Sequence, residues 1–285
     1  MNAARPQPFK CSAVISDVDG TLVTGRDKRL TERAADAVTA LRKRGILFTI
    51  ISSRPPEGLR KLIGPLDITQ PVGCFNGGTL VSPDLKIITE HLLPAEIARQ
   101  AVALLDERGV QAWIFSGRDW LVRKLDAPYV AHEQLTLGFP PKKVEDFGHA
   151  LDAAAKIVGV SQDFALLARC ETEGRALLAG QASVARSQQY YLDITHPLAN
   201  KGAALTEIVA LLGVPLAEVA VIGDGGNDVA MFKLGGLSVA MGNASPDVQA
   251  EADLVTGTND NEGFADAIET FILHKASAAA AGVAP

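Results

Sequence analysis

The chain has 285 residues and a formal net charge of -6, and 47% of its residues are hydrophobic against 21% charged. This length and composition are sufficient for the cores of two ordinary domains and exclude a largely disordered protein. The acidic balance argues against a general nucleic-acid binder, which would present a basic face, and no run of about eighteen apolar residues predicts a membrane span.

The number of cysteines and the composition of the N-terminal segment indicate the cellular compartment. Cys11, Cys74 and Cys170 are odd in number, and no two of them form a CxxC pair. Neither a disulfide framework nor a zinc site is therefore expected, and a reducing, cytoplasmic location fits better. The N-terminal segment lacks the apolar core of a signal peptide. The alanine-rich tail, residues 276–285, is low in complexity and predicted to fray.

Four short apolar segments, each bounded by Gly, Asp or Ser, predict strands that are buried on both faces of a parallel sheet. They cover residues 13–16, 46–51, 219–222 and 237–240. Helical patterns lie between them, at residues 31–44 and 202–212, and each of these ends at a glycine. Strands alternating with helices indicate an α/β fold with a Rossmann-like, doubly wound parallel sheet.

The middle of the chain has a different pattern. It predicts helices and strands in the order helix 94–108, strands 111–115 and 120–123, a strand–helix pair at 156–178, and a mostly extended segment at 184–194. This mixture is typical of an inserted α+β domain. We expect that domain to cover residues 84–188 and to divide the core domain into residues 1–83 and 189–285.

Two aspartates follow the first predicted strand directly, in the order Asp17-Val18-Asp19-Gly20-Thr21. They emerge at the carboxyl end of a strand, where open α/β sheets bind ligands, and alternate residues of a strand share a face. Two close carboxylates repel each other unless a cation or a shared proton intervenes, and magnesium suits such hard oxygen ligands. Alone, the segment is equally typical of an acidic turn after a strand.

A second acidic segment, Gly223-Asp224-Gly225-Gly226-Asn227-Asp228, follows the third predicted strand. By itself it is also consistent with a tight turn and a helix N-cap. Two acidic clusters at one edge of a sheet would be electrostatically costly without a metal. The pair therefore indicates a divalent cation far more specifically than either segment alone.

Two further segments have weaker signals. Ser52, Ser53 and Arg54 end the second predicted strand, where a hydroxyl and free backbone N–H groups can hold a phosphate oxygen, although a serine that caps a helix gives the same pattern. Lys201 opens a helix, and a lone lysine is usually solvated surface. In a cleft it would balance acidic groups and the charge that develops during phosphoryl transfer.

Together these segments resemble the four motifs of the haloacid dehalogenase superfamily, in the same order, over residues 13–272. The long insertion between the second and third motifs, and the turn Asn76-Gly77-Gly78 before it, resemble the Cof-type subfamily of sugar-phosphatase-like hydrolases. One departure is Ser53, which stands where the family's second motif usually has glycine. Because serine carries a β-carbon that glycine lacks, we expect less space for the approaching phosphate at this position.

The resemblance implies a magnesium-dependent phosphatase whose inserted domain is a mobile cap. Asp17 would attack phosphorus and form an aspartyl-phosphate, and Asp19 would protonate the leaving oxygen and then deprotonate water. Lys201 would hold Asp17 and the transferring oxygens. The implied phosphoryl-binding residues are Ser52, Ser53, Lys201 and Asn227. The implied ligands and supports of Mg²⁺ are Asp17, Asp19, Asp224 and Asp228.

The implied substrate is a small phosphorylated metabolite, with a sugar phosphate or phosphorylated polyol as the first expectation. We expect neither nucleic acid nor membrane as a partner, and the sequence does not indicate an oligomeric state. Two alternatives stay open on the same scaffold. One is phosphomutase-type transfer, and the other is a catalytically idle phosphate-binding module.

Other function classes lack their motifs. No GxxxxGK[ST] segment predicts a phosphate-binding loop of an NTPase. Gly223-x-Gly225 is followed by Asp228 where a dinucleotide-binding fingerprint needs a third glycine. No GxSxG elbow predicts a serine hydrolase.

Overall fold

The computed structural model describes residues 9–273, so the predicted frayed tail at 276–285 lies outside the described residues. The chain folds into two units. Of the described residues, the first unit contains 9–52, 62–72 and 205–273, and the second contains 53–61 and 73–204. The second unit extends beyond residues 84–188 on both sides, and the cap boundaries stay a prediction.

The strands are β1 (Ala13–Ser16), β2 (Leu47–Ile50), β3 (Val72–Cys74), β4 (Thr79–Val81), β5 (Ile87–Glu90), β6 (Gln111–Ser116), β7 (Asp119–Val122), β8 (Lys142–Lys143), β9 (Ala154–Val160), β10 (Ser183–Gln188), β11 (Tyr191–Thr195), β12 (Val219–Gly223), β13 (Leu237–Ala240) and β14 (Leu254–Val255). The α-helices are α1 (Glu32–Lys43), α2 (Pro56–Ile63), α3 (Ala95–Glu107), α4 (Val130–Leu137), α5 (Phe164–Leu177), α6 (Lys201–Leu212), α7 (Val229–Phe232), α8 (Pro246–Gln249) and α9 (Gly263–Ala267), which continues as a π-helical segment, Ile268–Ile272.

The first unit is built on a parallel sheet with the strand order β14-β13-β12-β1-β2. All four residues of β1 and all five of β12 are buried, as expected for central strands covered on both faces. The chain leaves β1 toward β2 on one side and later continues from β12 toward β14 on the other. This reversal is a topological switch point between β1 and β12, where open α/β sheets bind ligands. The predicted Rossmann-like α/β class is confirmed.

Helix α1 shows how the sequence directs this packing. Thr31 caps the helix, because its side-chain oxygen accepts a hydrogen bond from the Ala34 backbone N–H at 3.2 Å. The buried stripe continues through Val38 and Leu41, and the helix packs against β2 and α9. Gly45 follows with a φ of +72°, a conformation that suits glycine at the end of a helix. The predicted helix at 31–44 is confirmed.

The second unit contains a six-stranded, mostly antiparallel sheet with the order β10-β11-β9-β6-β7-β8. Helices α3 and α5 cover one face of this sheet and share an apolar core with it. The predicted α+β mixture of the middle segment is confirmed, but helix α4 and strand β8 were not predicted, and the extended segment at 184–194 forms two strands, β10 and β11. A small sheet of β3, β4 and β5 was not predicted, because its strands are short and Ile87 and Ile88 are exposed.

Across residues 9–273, the structure contains no helix with both the length and the apolar character that crossing a bilayer requires.

Candidate active site

Asp17 is fixed at the switch point by the backbone. Its N–H donates to the carbonyl oxygen of Ile222 at 2.9 Å, so the pairing of β1 with β12 continues one residue beyond Ser16. The residue is only 6% exposed, which removes most of the hydration that a carboxylate has in water. A buried carboxylate in this position needs compensation by positive charge or hydrogen bonds.

The turn after Asp17 depends on Gly20. The N–H groups of Leu22 and Val23 both donate to the carbonyl oxygen of Val18, which folds the chain back on itself. Gly20 has a φ of +82°, and a Cβ at this position would lie 2.7 Å from Cγ of Asp224. Only glycine therefore allows both this backbone conformation and the close approach of Asp224.

Asp228 shapes the loop that carries Asp224. It is fully buried, and its Oδ2 accepts hydrogen bonds from the N–H groups of Asp224, at 2.9 Å, and Gly225, at 2.8 Å. A Cβ at Gly223 would lie 2.6 Å from Cβ of Asp228, so the loop passes this side chain without room for another. The Asp228 carboxylate thus stabilises the backbone turn that presents Asp224 at the edge of the sheet.

Two neighbours orient the carboxylate of Asp224. The hydroxyl of Thr21 donates to Oδ1 at 2.9 Å, and Nδ2 of Asn243 lies 3.3 Å from Oδ2. Nδ2 of Asn243 also donates to the carbonyl oxygen of Gly20 at 2.9 Å, which ties the loops after β1, β12 and β13 together. Asp224 is therefore held in one orientation by both of its oxygens.

Three carboxylates meet at this point. One oxygen from each of Asp17, Asp224 and Asp228 lies within 4.8 Å of the others. Two ligands on opposite sides of a magnesium ion are about 4.2 Å apart, since each lies about 2.1 Å from the ion. Two adjacent ligands of an octahedral magnesium ion are about 3.0 Å apart, so oxygens within 4.8 Å of one another are close enough to share one ion, and hard oxygen donors are the ligands that Mg²⁺ prefers. The donor set and spacing fit a divalent cation.

Asp19 has different surroundings. Its Oδ1 lies 3.3 Å from Nζ of Lys28, and the two side chains are 27% and 32% exposed. Its carboxylate is outside the three-carboxylate cluster, and its backbone forms a bridge with Val23. Asp17 is thus a buried carboxylate beside other carboxylates, whereas Asp19 is a partly exposed carboxylate in an ion pair with a lysine.

The remaining predicted residues divide between the two units. Ser52 is fully buried and follows β2, at the same carboxyl edge as Asp17, and Asn227 lies exposed in the loop between Asp224 and Asp228. Ser53 belongs to the second unit, as does Lys201, which is 1% exposed and begins α6. The roles predicted for these four residues stay predictions.

Two further residues of the site, Asn243 and Lys28, were not predicted from the sequence. Asn243 follows β13 by three residues at the same edge of the sheet, so the rule that ligands bind at strand ends could have found it. Lys28 lies in an irregular loop with a positive φ, and no pattern in the sequence indicates that the loop returns to Asp19.

Comparisons with known proteins complete this description. The sequence profile of the haloacid dehalogenase-like hydrolases matches residues 14–268. A phosphoglycolate phosphatase of Archaeoglobus fulgidus is 30% identical over 262 residues, which cover 92% of this chain and 97% of that protein. A 5-amino-6-(5-phospho-D-ribitylamino)uracil phosphatase of Bacillus subtilis is 25% identical over 297 residues, covering 93% and 98%. A haloacid dehalogenase-like hydrolase of Bacteroides thetaiotaomicron, solved by crystallography, superimposes with a TM-score of 0.83 at 29% identity, covering 91% and 99%.

Proposed function

We propose a mechanism for this chain, which belongs to the haloacid dehalogenase-like hydrolase family and is a phosphatase. In this mechanism the enzyme hydrolyses a small phosphomonoester through an aspartyl-phosphate on Asp17, and Mg²⁺ is the cofactor. The observation that carries the proposal is the meeting of Asp17, Asp224 and Asp228 at the switch point of the parallel sheet. Such a cluster is electrostatically unfavourable alone and becomes favourable around a divalent cation.

The chain's own residues perform a two-step transfer. The Asp17 carboxylate attacks phosphorus, the bond to the leaving oxygen breaks, and Asp19 delivers a proton to that oxygen. Asp19 then takes a proton from a water molecule, which attacks phosphorus and breaks the bond to the Asp17 oxygen. The side chains of Asp17 and Asp224, supported by Asp228, and the backbone carbonyl of Asp19 would hold Mg²⁺. When bound, the ion supplies positive charge that neutralises the phosphoryl oxygens.

The surroundings of the two aspartates support this division of roles. Asp17 is fixed by the sheet backbone and is buried, as a nucleophile that must stay aligned with phosphorus should be. Asp19 is partly exposed, so it can exchange a proton with a leaving group or water. We assign Lys28 the role of a positioning residue that keeps the Asp19 carboxylate at the site through their ion pair.

Two residues of the first unit are proposed to contact the phosphoryl group. Ser52 follows β2 at the same carboxyl edge of the sheet as Asp17, and Asn227 lies in the loop that carries Asp224. Both offer neutral polar groups to phosphoryl oxygens. The roles predicted for Ser53 and Lys201 rest on the family resemblance, since both residues belong to the second unit.

The proposed substrate class is a phosphorylated sugar or polyol, as in the Cof-type subfamily. The names of two relatives describe phosphoglycolate and a phosphoribityl compound as substrates, and both are small phosphomonoesters. The shared feature of these substrates is a phosphate on a short, oxygen-rich carbon chain. This feature supports the proposed class for the present chain.

We also propose a reducing compartment, in agreement with a cytoplasmic enzyme. Cys11, Cys74 and Cys170 are all free thiols. Burial raises the pKa of Cys11 to about 11 and that of Cys74 further, so these thiols are protonated and poorly nucleophilic at neutral pH. Cysteine nucleophiles are therefore no part of the proposed chemistry.

The test of the proposed function is phosphate release from a panel of sugar, polyol and nucleotide phosphates and from p-nitrophenyl phosphate, with Mg²⁺ and with EDTA. We expect multiple turnovers to free phosphate with Mg²⁺, little with EDTA, and none for Asp17→Asn. Turnover that requires a bisphosphate activator and returns an isomeric phosphate ester would favour the phosphomutase alternative. Silence under all conditions would favour the idle binding module.

A further inference from the structure

Two histidines of the second unit stack on each other. His91 directly follows β5 and His196 directly follows β11, and their ring centroids are 5.4 Å apart with the planes inclined by 19°. Both residues lie within 73–204 and are partly buried. Two neutral imidazole rings can stack at this distance, whereas two imidazolium ions repel each other. The stack therefore joins the two chain segments only while at least one ring is neutral.

The side chain of His196 also has a defined hydrogen-bonding role. Its Nδ1 accepts a hydrogen bond from the Leu198 backbone N–H at 3.1 Å. Because a backbone N–H can only donate, Nδ1 carries a lone pair and the proton of the neutral ring lies on Nε2. Protonation places a hydrogen on Nδ1, where it faces another donor. A charge on His196 therefore removes this bond and replaces it with a repulsive contact.

This bond belongs to the turn that leads into α6, the 196–200 turn. The His196 carbonyl oxygen accepts the N–H of Ala199 at 2.9 Å. Oδ1 of Asn200 then accepts a backbone N–H from the first turn of α6 at 2.9 Å, which is the geometry of a helix N-cap. Lys201 is the first residue of α6 and only 1% exposed, so its side chain has little freedom to compensate for a shift of the helix start. The 196–200 turn therefore determines where Lys201 lies.

The 196–200 turn packs closely against the glycine turn, residues 76–78, of the same unit. A Cβ at Gly78 would lie only 3.0 Å from Cβ of Ala199. The Gly78 carbonyl oxygen also accepts the backbone N–H of His91 at 2.7 Å. Both histidines therefore belong to the packing that holds the start of α6, one through the 196–200 turn and the other through the glycine turn.

The charged groups nearby do not offset a charge on His196. The ionisable residues of β5 and the residue after it, the glycine turn, the 196–200 turn and the first turn of α6 are Glu90, His91, His196 and Lys201. Burial raises the pKa of the Glu90 carboxyl, so this group loses its charge as the pH falls. On the adjoining strands, Lys156 and Asp193 neutralise each other in an ion pair. The surroundings therefore favour the neutral form of His196.

We propose that neutral His196, stacked on His91, is a positioning residue that holds Lys201 in place for phosphoryl transfer, and that protonation of His196 releases it. This inference rests on the proposed function for the role of Lys201. An ammonium group must stay within hydrogen-bonding distance of the oxygens it neutralises, and displacements near 1 Å can lower a rate by about 10². Acid thus lowers activity through the 196–200 turn, separately from any protonation of the cation-site carboxylates.

The direction of the pH effect follows from these contacts. Burial, and next the neighbouring His91, lower the pKa of His196 below the ordinary histidine value of about 6.5. The contribution of a neutral His196 to stability is therefore complete above that value and is lost as the pH falls through the lower folded pKa. The kcat of the wild type should fall over the same interval. Because the two histidines interact, we expect their protonation to occur in two coupled steps.

Two substitutions of His196 test the proposal, with p-nitrophenyl phosphate and saturating Mg²⁺. His196→Asn supplies a carbonyl oxygen near the position of Nδ1 and takes up no proton, whereas His196→Leu supplies no acceptor. At neutral pH we expect His196→Asn to keep most of the wild-type kcat. His196→Leu should lose about tenfold in kcat, as for one lost hydrogen bond, with a smaller change in KM. Between about pH 8 and about pH 5, the wild-type kcat should fall more than that of His196→Asn, which lacks the titrating ring.

The matched control is His149→Asn. His149 is exposed in the same unit and contacts Asp152 rather than a second histidine, so this variant should have the pH profile of the wild type. The proposal is overturned if His196→Asn keeps the acid limb of the wild type, or if His196→Leu has the wild-type kcat at neutral pH. Equal losses in the two His196 variants at every pH would indicate general damage and would also overturn it.

The 196–200 turn can be followed without substrate by nuclear magnetic resonance of the full-length protein. The chain has five histidines, so substitution assigns their ring signals. We expect the Leu198 amide signal to titrate together with the His196 ring, and His91→Phe, which keeps an aromatic ring without a charge, to raise the pKa of His196. A Leu198 amide that does not respond to His196 protonation overturns the proposal even in an active enzyme. The expected titration in a protein without phosphatase activity would instead refute the proposed function, and with it the role of Lys201.

Discussion

Asp228 holds the backbone of Asp224. Its Oδ2 accepts the Asp224 N–H at 2.9 Å while the residue itself is completely buried. The three carboxylates of the cluster are therefore not equivalent, because one oxygen of Asp228 serves the loop rather than a ligand. This contact links the folding of the loop after β12 to the geometry of the cation site.

The first prediction concerns this contact. Asp228→Ala leaves the N–H groups of Asp224 and Gly225 without their acceptor, so we expect a loss of about 1–3 kcal/mol in the free energy of unfolding. We also expect magnesium affinity to fall about 10- to 100-fold, as is usual when the support of a metal ligand is removed. Thermal unfolding and a magnesium titration of activity measure the two effects.

The matched control for this prediction is Asp253→Ala. Oδ2 of Asp253 also accepts a backbone N–H, from Ser238 at 2.8 Å, within the first unit. We expect a comparable loss of stability with an unchanged magnesium titration. A magnesium titration that shifts equally in both variants would show that Asp228 has no particular connection to the cation.

The second prediction concerns Gly20. Gly20→Ala places a methyl group against the Asp224 carboxylate, so the carboxylate must move and activity should fall about 10²-fold, as displacements near 1 Å can cause. Gly45→Ala is the control, since Gly45 has a similar positive φ of +72° but nothing within 4 Å of the added Cβ. Both variants bear the same kind of backbone strain, and the control should keep its kcat/KM. Equal activity of the two variants would contradict this account.

The third prediction separates the roles of Asp17 and Asp19 through Lys28. If Lys28 positions the proton donor, Lys28→Gln should lower kcat about tenfold for an alkyl phosphate, whose leaving oxygen needs a proton. It should hardly change kcat for p-nitrophenyl phosphate, whose leaving group is stable as an anion. KM should stay near the wild-type value, and Lys28→Arg should restore much of the loss. A uniform loss for both substrates, or a loss confined to KM, would instead indicate direct phosphate binding or general damage.

The fourth prediction concerns pH and Glu133. Burial raises the pKa of this carboxyl, so the folded state favours its protonated form. Its contribution to stability is complete below the unfolded pKa of about 4.3 and is lost as the pH rises through the higher folded pKa. The melting temperature of the wild type should therefore fall relative to that of Glu133→Gln as the pH rises from about 4 upward. A difference in melting temperature between the wild type and Glu133→Gln that stays constant with pH would contradict this prediction.

Much of the first unit could be predicted from the sequence, because its strands and the aspartates that follow them are adjacent in the chain. Buried parallel strands are continuous apolar runs, and the aspartates follow β1 and β12 directly. The order of the four motifs predicted the haloacid dehalogenase superfamily, and that prediction is confirmed. The proximity of Asp17 and Asp224 then follows from the parallel pairing of β1 with β12.

The rest depends on contacts between distant segments. Asn243 reaches Gly20 across 223 positions, and Lys28 reaches Asp19 through an irregular loop. The second unit shows the same limit. Trp113 and Asp193 share a face of the six-stranded sheet through strand pairings that no local pattern in the sequence specifies.

The most direct test of the account is the covalent intermediate on Asp17. The enzyme is mixed with Mg²⁺ and a substrate identified by the phosphate-release panel, quenched within one turnover and treated with borohydride, which reduces an acyl phosphate at aspartate to homoserine. Peptide mass spectrometry then locates the modified residue. The account predicts homoserine at position 17 and unmodified aspartate at positions 19 and 224. Rapid turnover with the modification at another residue, or with none at position 17, would contradict it.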